Sequence, residues 1–599
     1  MSNIPPFAAG SYASDRQTAN LVKLKGQLAA LTTQLTTGQS AQSYGGLGAG
    51  RTTSLSARAA ISALDGYTAA ITAGTTRVSL ASAGLTQLST LSDTVQRSIT
   101  AYLSPSSSTL LNTVGSIAGN SLDAAIDALN QSAAGQYIFA GRDSDNEPVI
   151  DSATMLNGDA SKGLVGLKAL IAEQKTADLG PNGDGRLTPT ASGSTVTLTE
   201  DGSAEARANF GFSLLSAKSS NTSAIAATPI AATAANVDVA FASQPAAGDR
   251  VRVALLQSDG SQKIVDLTAT TSADGGANTF KIDPGGDPAV TAANLKAALG
   301  TGAQIASVQS ASPPGISASF TGGSPASASL AVNGTPAAGD TVTVTVGLHD
   351  GSTQTITLTA AATAAASSTT SFAIGATPAA TAANLSAALT NALKNTAQTA
   401  LSASSALRAS QNFFDGSSSA GLAPRRVSAD GNGYAETAST GTVIWYKGDD
   451  TSPDARSTAT LQVGATQTVQ VGAQANEAPI KGLLASLAAV SAEGSVNASD
   501  TVATTRYAAL AQKANTLIVG SKEGLTQISA DFSRANATMT AAKSNAAETK
   551  VTLQNAIDGV EGISTEEVMV KLLDLQTQLQ ASYQLTSKIA QLSLVNYMS

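Results

Sequence analysis

The 599-residue chain contains no cysteine and one histidine. The first absence excludes disulfides, thiolate metal sites and cysteine nucleophiles. The second excludes a two-histidine zinc centre of the H-E-x-x-H kind. The single His349 stands in Leu348-His349-Asp350-Gly351. That string reads as an exposed hairpin turn, a poor place for the buried, oriented base of a Ser–His–Asp triad. Aromatic residues are only 4% and charged residues 13% of the chain, too thin for one large dense core. Such a composition suits long helices lying side by side and small sandwiches. The net charge of −8 comes with no basic run, which argues against a nucleic-acid surface or an anionic-membrane patch. No apolar run reaches 18 residues, so no membrane insertion is expected. The opening MSNIPPFAAG lacks a basic patch followed by an apolar stretch, so no cleaved secretory signal is expected. No G-x-x-x-x-G-K-[ST] occurs. Gly46-x-Gly48-x-Gly50 follows no strand and reads as a hinge between helices. No cofactor and no catalytic role are expected.

The length implies about three or four domains, and the periodicity says where they lie. Leu21, Leu24, Leu28, Leu31 and Leu35 step 3, 4, 3, 4, the seam of a coiled coil, and Gly38 follows as a helix stop. After the Gly-rich break 44–50, Leu64, Ile71, Val78 and Leu85 recur every seven residues; Ser92 interrupts and Ile99 resumes. A third helix is expected near 108–133, on Leu122, Ile126 and Leu129. At the other end, Ser564 and Glu567 form an S-x-x-E capping box with Ile563 and Val568 placed for a staple. Val568, Leu572, Leu575 and Leu579 then step 4, 3, 4, and Ile589 falls on the same face. This last helix also carries Met569, Leu573, Tyr583, Leu585 and Leu594 away from its seam, so it needs partners on more than one side. Another long helix is expected over 503–557.

The middle changes period. Thr341 to Val346 alternate strictly, Asp350-Gly351 turns, and Thr355 to Leu358 alternate again, a hairpin. The unit is duplicated: Pro245–Asp249 recurs as Pro336–Asp340, Asp259-Gly260 as Asp350-Gly351, and Leu267-Thr268 as Leu358-Thr359. Thr291–Leu295 recurs as Thr381–Leu385 one residue out of step, so two α/β units of about 80 residues are expected. A further β segment lies near 441–472.

The expectation is a multidomain α + β chain, with a long-helix coiled-coil base from both termini and inserted β-rich outer domains containing a duplicated α/β unit. Its divisions are an N-terminal core helix (1–44), a helical region (45–150) and a linker or outer β region (151–228). Outer repeats (229–310 and 320–402), a β return segment (403–475), a helical region (476–560) and a C-terminal core helix (561–599) follow.

Residues 130–148, NQSAAGQYIFAGRDSDNEP, mark the exit from the helical base. Asp143, Asp145 and Glu147 alternate as calcium ligands do, but Pro148 stands where an EF-hand loop needs its glycine and Thr154 where it needs glutamate. The stretch reads as an elbow: the helix ends near Ala133-Ala134-Gly135, Tyr137, Ile138 and Phe139 anchor a short strand, and Gly141 frees the turn.

Several of these strings resemble the bacterial flagellin superfamily. Gln34-Leu35-Thr36-Thr37-Gly38 is similar to the L-S-T-G stretch that closes its first helix. Gly135-Gln136-Tyr137-Ile138-Phe139-Ala140-Gly141 is similar to the G-x-Y-[IL]-F-[AS]-G stretch of its hook-associated, hook–filament junction type. Trp445-Tyr446-Lys447-Gly448 and Ala475-Asn476-Glu477 resemble the return into the helical core. Leu579-Gln580-Ala581-Ser582-Tyr583 and Leu592-Ser593-Leu594 resemble the C-terminal L-Q-A-S-Y…L-S-L. The resemblance covers about residues 1–150 and 475–599. It implies a D0-like inner coiled coil from both termini, a D1-like shell, and inserted units facing solvent. It also implies an extracellular subunit, exported unfolded by the flagellar type III apparatus with its chaperone, and partnered by its own copies and by adjoining hook-associated proteins or filament flagellin. The assembly core would be Leu21, Leu24, Leu28, Leu31, Leu35, Val568, Leu572, Leu575, Leu579, Tyr583, Ile589 and Leu592. The last thirty residues favour the junction type, whereas the length and duplicated middle are more usual for filament flagellin. A secreted repeat adhesin and a filament-borne enzyme are the readings from other classes.

Overall fold

The computed structural model describes residues 6–103, 111–272, 276, 278–311, 315–418, 421–452, 454–494 and 496–597. The chain is mixed α and β, with a long helix near its N-terminus and long helices at its C-terminal end. The helices are α1 (Pro6–Thr37), α2 (Gly50–Tyr102), α3 (Leu111–Leu129), α4 (Ser152–Asn157), α5 (Leu167–Leu179) and α6 (Ala204–Asn209). Then come α7 (Pro288–Leu299), α8 (Pro378–Thr396), α9 (Ser402–Phe414), α10 (Ala478–Ala492), α11 (Thr501–Glu561) and α12 (Thr565–Tyr597). Two compact units divide the chain, one of residues 1–75, 461–469 and 536–599, the other of residues 76–460 and 470–535. Among the described residues no helix is long and apolar enough to cross a membrane.

In the first unit, α1 packs against α12. Gly38 ends α1 at φ +71°, where a side chain would be strained, and its N–H reaches the Gln34 carbonyl at 2.8 Å. The two ends of the chain are stitched just beyond. The Ser40 N–H donates to the Glu561 carbonyl at 2.6 Å, and Gln39 bridges Gly562. α1 runs toward this stitch and α12 away from it, so the pair is antiparallel. Ser564 caps α12, its Oγ accepting from the Glu567 N–H at 3.2 Å. The reciprocal half of the expected capping box is not made, because the Glu567 carboxylate accepts from Lys571, one turn on, at 2.6 Å.

In the second unit, α2 buries Val78, Ala81, Leu85, Leu88, Ser92, Val95 and Ile99, a seam of alternating three- and four-residue steps. Ser92 does not break it. Its Oγ donates to the Leu88 carbonyl at 2.8 Å, so a small hydroxyl is buried without an orphaned donor. α10 is covered on almost every side, from Ile480 to Val490, and packs on α3 and α9. α9 also packs on α5. Ser402–Phe414, expected inside a β return segment, is therefore a buried helix. Two of its serines are buried with their hydroxyls satisfied, Ser405 on Asp178 and Ser410 on the Ala485 carbonyl, at 2.7 Å each.

The stretch 151–228, expected as a linker or outer β region, is built structure. After the small pairs β1 (Ser132–Ala133) with β2 (Gln136–Tyr137) and β3 (Gly158–Asp159) with β4 (Leu164–Val165), it supplies β5 (Leu187–Ser192) and β6 (Thr195–Glu200). β7 (Ser213–Ser219) and β8 (Ile225–Ile230) follow.

The duplication is larger than the four sequence matches, and its two copies exchange strands. The next strands are β9 (Asn236–Phe241), β10 (Arg250–Leu256), β11 (Gln262–Thr270), β12 (Thr279–Lys281), β13 (Gln304–Ser310) and β14 (Ile316–Thr321). After them come β15 (Ser327–Val332), β16 (Thr341–Gly347), β17 (Thr353–Ala361) and β18 (Ser371–Ala373). One four-stranded sheet has the order β12-β11-β10-β13 and another the order β18-β17-β16-β7. The registers correspond residue for residue: Arg250 faces Thr268 and Thr341 faces Thr359, while Val251 faces Ser310 and Val342 faces Ser219. Even the irregularity recurs, between Ala254 and Leu255 in one sheet and Thr345 and Val346 in the other. β14 pairs with β9 as β8 pairs with β15. In chain order β7–α7 is one copy and β13–α8 the other. Each copy's first two strands therefore complete the unit of the other copy. The two cores show the same mixing. Ile305, Val308 and Ile316 of the second copy pack with Val251, Val253 and Phe280 of the first. Ala217 and Ile225 of the first pack with Val342, Val344 and Phe372 of the second.

Candidate functional site

The terminal helices place the expected assembly residues in two classes. Leu21, Leu24, Leu28, Leu31 and Leu35 on α1 and Leu572, Leu575 and Leu579 on α12 are half-buried, and Val568 is buried. One stripe of each helix is thus shielded, as the leucine spacing requires. Ile589, expected on the seam face, is 41% exposed, and Tyr583, expected away from the seam, is 53% exposed. Ile589 is in step with Val568, but where the antiparallel α1 would continue its seam before Leu21 the sequence has Gln17 and then Ser14, neither of them a bulky apolar residue. The side chains of Leu592 and Leu594 lie outside the described residues. Met569, Val570, Leu573 and Leu585 are also exposed, on both flanks of the α12 seam, with Leu573 at 58% and Leu585 at 55%. A two-helix pair covers one stripe per helix, and α12 carries apolar groups well beyond that stripe.

The elbow is in the second unit. α3 ends at Leu129, earlier than the expected Ala133–Gly135, and β1 and β2 form a two-residue-turn hairpin instead. Ala134 and Gly135 take φ +52° and +80°, the pair of positive values that a type I′ turn requires. Tyr137 is half-buried; Ile138 and Phe139 are fully buried. The exit strand is held by the return segment. The Phe139 carbonyl accepts from the Ala475 N–H at 2.8 Å and from the Tyr446 hydroxyl at 3.2 Å. The Gly141 N–H donates to the Ala473 carbonyl at 3.0 Å, and the Asp449 N–H to the Ala140 carbonyl at 2.9 Å. On the helical side, Arg77 Nη2 donates to the Ile138 carbonyl at 3.0 Å. The Phe139 ring lies against Gly84, where an added Cβ would stand 3.1 Å from Cε2. Gly141, at φ +68°, has Asp449 and Gln474 so close that a Cβ would meet them at 3.0–3.2 Å. Trp445 is fully buried, its Nε1 donating to the Phe414 carbonyl at 2.9 Å and its ring edge-on to Phe414 at 5.0 Å. Around it, 441–446 forms isolated bridges, Thr442 with Val165 and Tyr446 with Val149; the strands of the expected 441–472 β segment are Thr460–Gln462 and Thr468–Gln470.

The acidic exit is solvated. Asp143 and Glu147 accept from Asn146 at 2.9 Å and Asn130 at 2.8 Å, and among the described residues no cluster of three metal-ligating side chains occurs. His349 is the main correction to the residue-level reading. It is not exposed but 3% accessible, because the turns of the two duplicated hairpins meet and cover it. Its Nδ1 lies 3.3 Å from the Gly260 carbonyl. Burial, with the nearby Arg408 guanidinium, pushes its pKa down to about 4, so the ring is neutral. Next to it, burial opposes ionisation of Asp350, but the Lys513 ammonium at 2.5 Å and the Ser352 hydroxyl hold its carboxyl at about 2. The sequence missed the site because the covering surface comes from the other copy of the repeat. No protein-family model matches the chain, and no curated protein sequence matches it.

Proposed function

We propose that the chain is a structural subunit of the bacterial flagellar axial structure, of the flagellin superfamily, nearer the hook–filament junction type than filament flagellin. On this reading it has no catalytic role. It is extracellular, is exported through the type III apparatus with a chaperone, and assembles with copies of itself and adjoining flagellar proteins. The observation that carries the reading is the uncovered apolar surface of α12, from Met569 to Ile589, in a helix whose seam is already occupied by α1. Copies packing around a common axis would cover those flanks, and burial of each exposed leucine would contribute about 1–2 kcal/mol. The motif resemblances at both ends of the chain supply the family. Removal of residues 564–599 tests the role of the last helix: the truncated chain stays soluble and exported but does not polymerise, and normal polymerisation would refute the reading. Filament flagellin remains the second reading because of the inserted duplicated units. Antibody against residues 230–400, viewed on the native organelle, separates the two: labelling confined to the hook end marks the junction type, and labelling along the filament marks flagellin.

A further inference from the structure

The strand-exchanged units share one backbone, so each is a control for the other. On β16 and β17 the positions facing away from the core are Thr341, Thr343, Thr357 and Thr359; on β10 and β11 the matching positions are Arg250, Arg252, Asp266 and Thr268. Lys263, at the start of β11 and on its other side, in step with Val265 and Leu267, matches Gln354. The fold does not need these charges, since the second unit forms the same register and the same irregularity without them.

In the first copy's sheet this charged face, with Lys263 from the other side of the β11 edge, lines a cavity of about 800 Å³, together with Asp415 and Lys481. Four cations meet two carboxylates there, and both carboxylates are taken. Asp266 receives Nε and Nη2 of Arg252 at 2.8 Å each, and Asp415 receives Lys481 at 2.7 Å. Arg252 Nη2 also donates to the Asp415 carbonyl at 2.6 Å. These contacts account for Arg252, Asp266 and Lys481 as anchors. Among the described residues they leave Arg250 and Lys263 with no carboxylate within ion-pair distance, and Arg252, 2% exposed, with Nη1 unpartnered. A buried guanidinium nitrogen without an acceptor is costly, and two further unmatched cations in one concavity raise the potential there.

The geometry points to an oxyanion site: the cavity takes the phosphate or carboxylate group of a small solute, with Arg250, Lys263 and Nη1 of Arg252 as donors. A guanidinium fork and an ammonium together suit a planar or tetrahedral oxyanion.

The test is titration of the full chain with inorganic phosphate and, separately, with citrate, followed by calorimetry. Arg250→Ala/Lys263→Ala removes the two unpaired cations and leaves the Arg252 anchor in place. Lys218→Ala/Lys394→Ala is the charge-matched control outside the cavity. Saturable binding of either anion that weakens at least tenfold in the first variant and is unchanged in the control supports the site, and the better-bound anion identifies its group. Absence of saturable binding up to about 10 mM, or equal affinity in both variants, overturns it.

Discussion

Phe139 is the elbow's anchor, and its replacement can be worked through. The side chain is fully buried, and its ring lies on a position of α2 that has no side chain, Gly84. Phe139→Ala removes the ring and leaves a space that Gly84 cannot fill, so the cost should fall near the upper part of the usual range, about 4 kcal/mol. Gly84→Ala alone overpacks the wild type, because the new Cβ would stand 3.1 Å from the ring, and should cost about 1–2 kcal/mol. In the Phe139→Ala background the same methyl enters the vacated space and should be neutral or stabilising, a coupling that only touching residues show. Trp445 is the only tryptophan and is fully buried in the adjoining return segment, so its fluorescence reports this region. With an m-value of about 3 kcal/mol/M, urea unfolding followed at Trp445 should shift by a little over 1 M in Phe139→Ala. A shift below about 0.3 M, or additive effects of the two substitutions, would refute the packing argument.

Stability should fall as pH drops from about 6.5 to about 4. His349 is neutral in the fold, whereas the unfolded chain takes up its proton in that window, a cost on the order of 3 kcal/mol. His349→Ser, which installs the residue found at the matching position of the first copy, Ser258, should flatten this slope. It should leave the acid loss below about pH 4, where Asp350 protonates, in place; denaturant midpoints across pH check both. Deleting residues 213–303 removes one whole copy and should leave one complete α/β unit, because β13 and β14 can pair with β16 and β15 as β7 and β8 did. A cooperative melt with reduced strand content by circular dichroism is the expected result, and a non-cooperative melt would contradict the exchange.

The helices were legible because their leucine and valine spacing is local: the Val78, Leu85 and Ile99 series and the Leu21–Leu35 seam lie where the periodicity put them. The hairpins were equally local, through Thr341–Val346 and Asp350-Gly351. What was not legible depended on distant partners. Strand exchange requires β7 to find β16 across more than a hundred residues, and Ser213–Ser219 has diverged from Gln304–Ser310 to two shared serines and three positions that are apolar in both. His349 looked exposed because nothing in its own hairpin covers it. Ile589 looked buried because its own helix is in step there, although α1 is not. Arg250 and Lys263 carried no motif and became conspicuous only beside the threonines of the second copy.

The most direct test of assembly through the terminal helices leaves the fold of the single chain intact. Leu573→Glu/Leu585→Glu charges both uncovered flanks of α12 without touching the Leu572, Leu575 and Leu579 seam. The purified full chain and this variant are compared by electron microscopy and sedimentation at matched concentration, with Trp445 fluorescence as the control for folding. The account predicts ordered polymers from the unaltered chain and none from the variant, at identical fluorescence. Polymers of the same form and yield from both chains would contradict it.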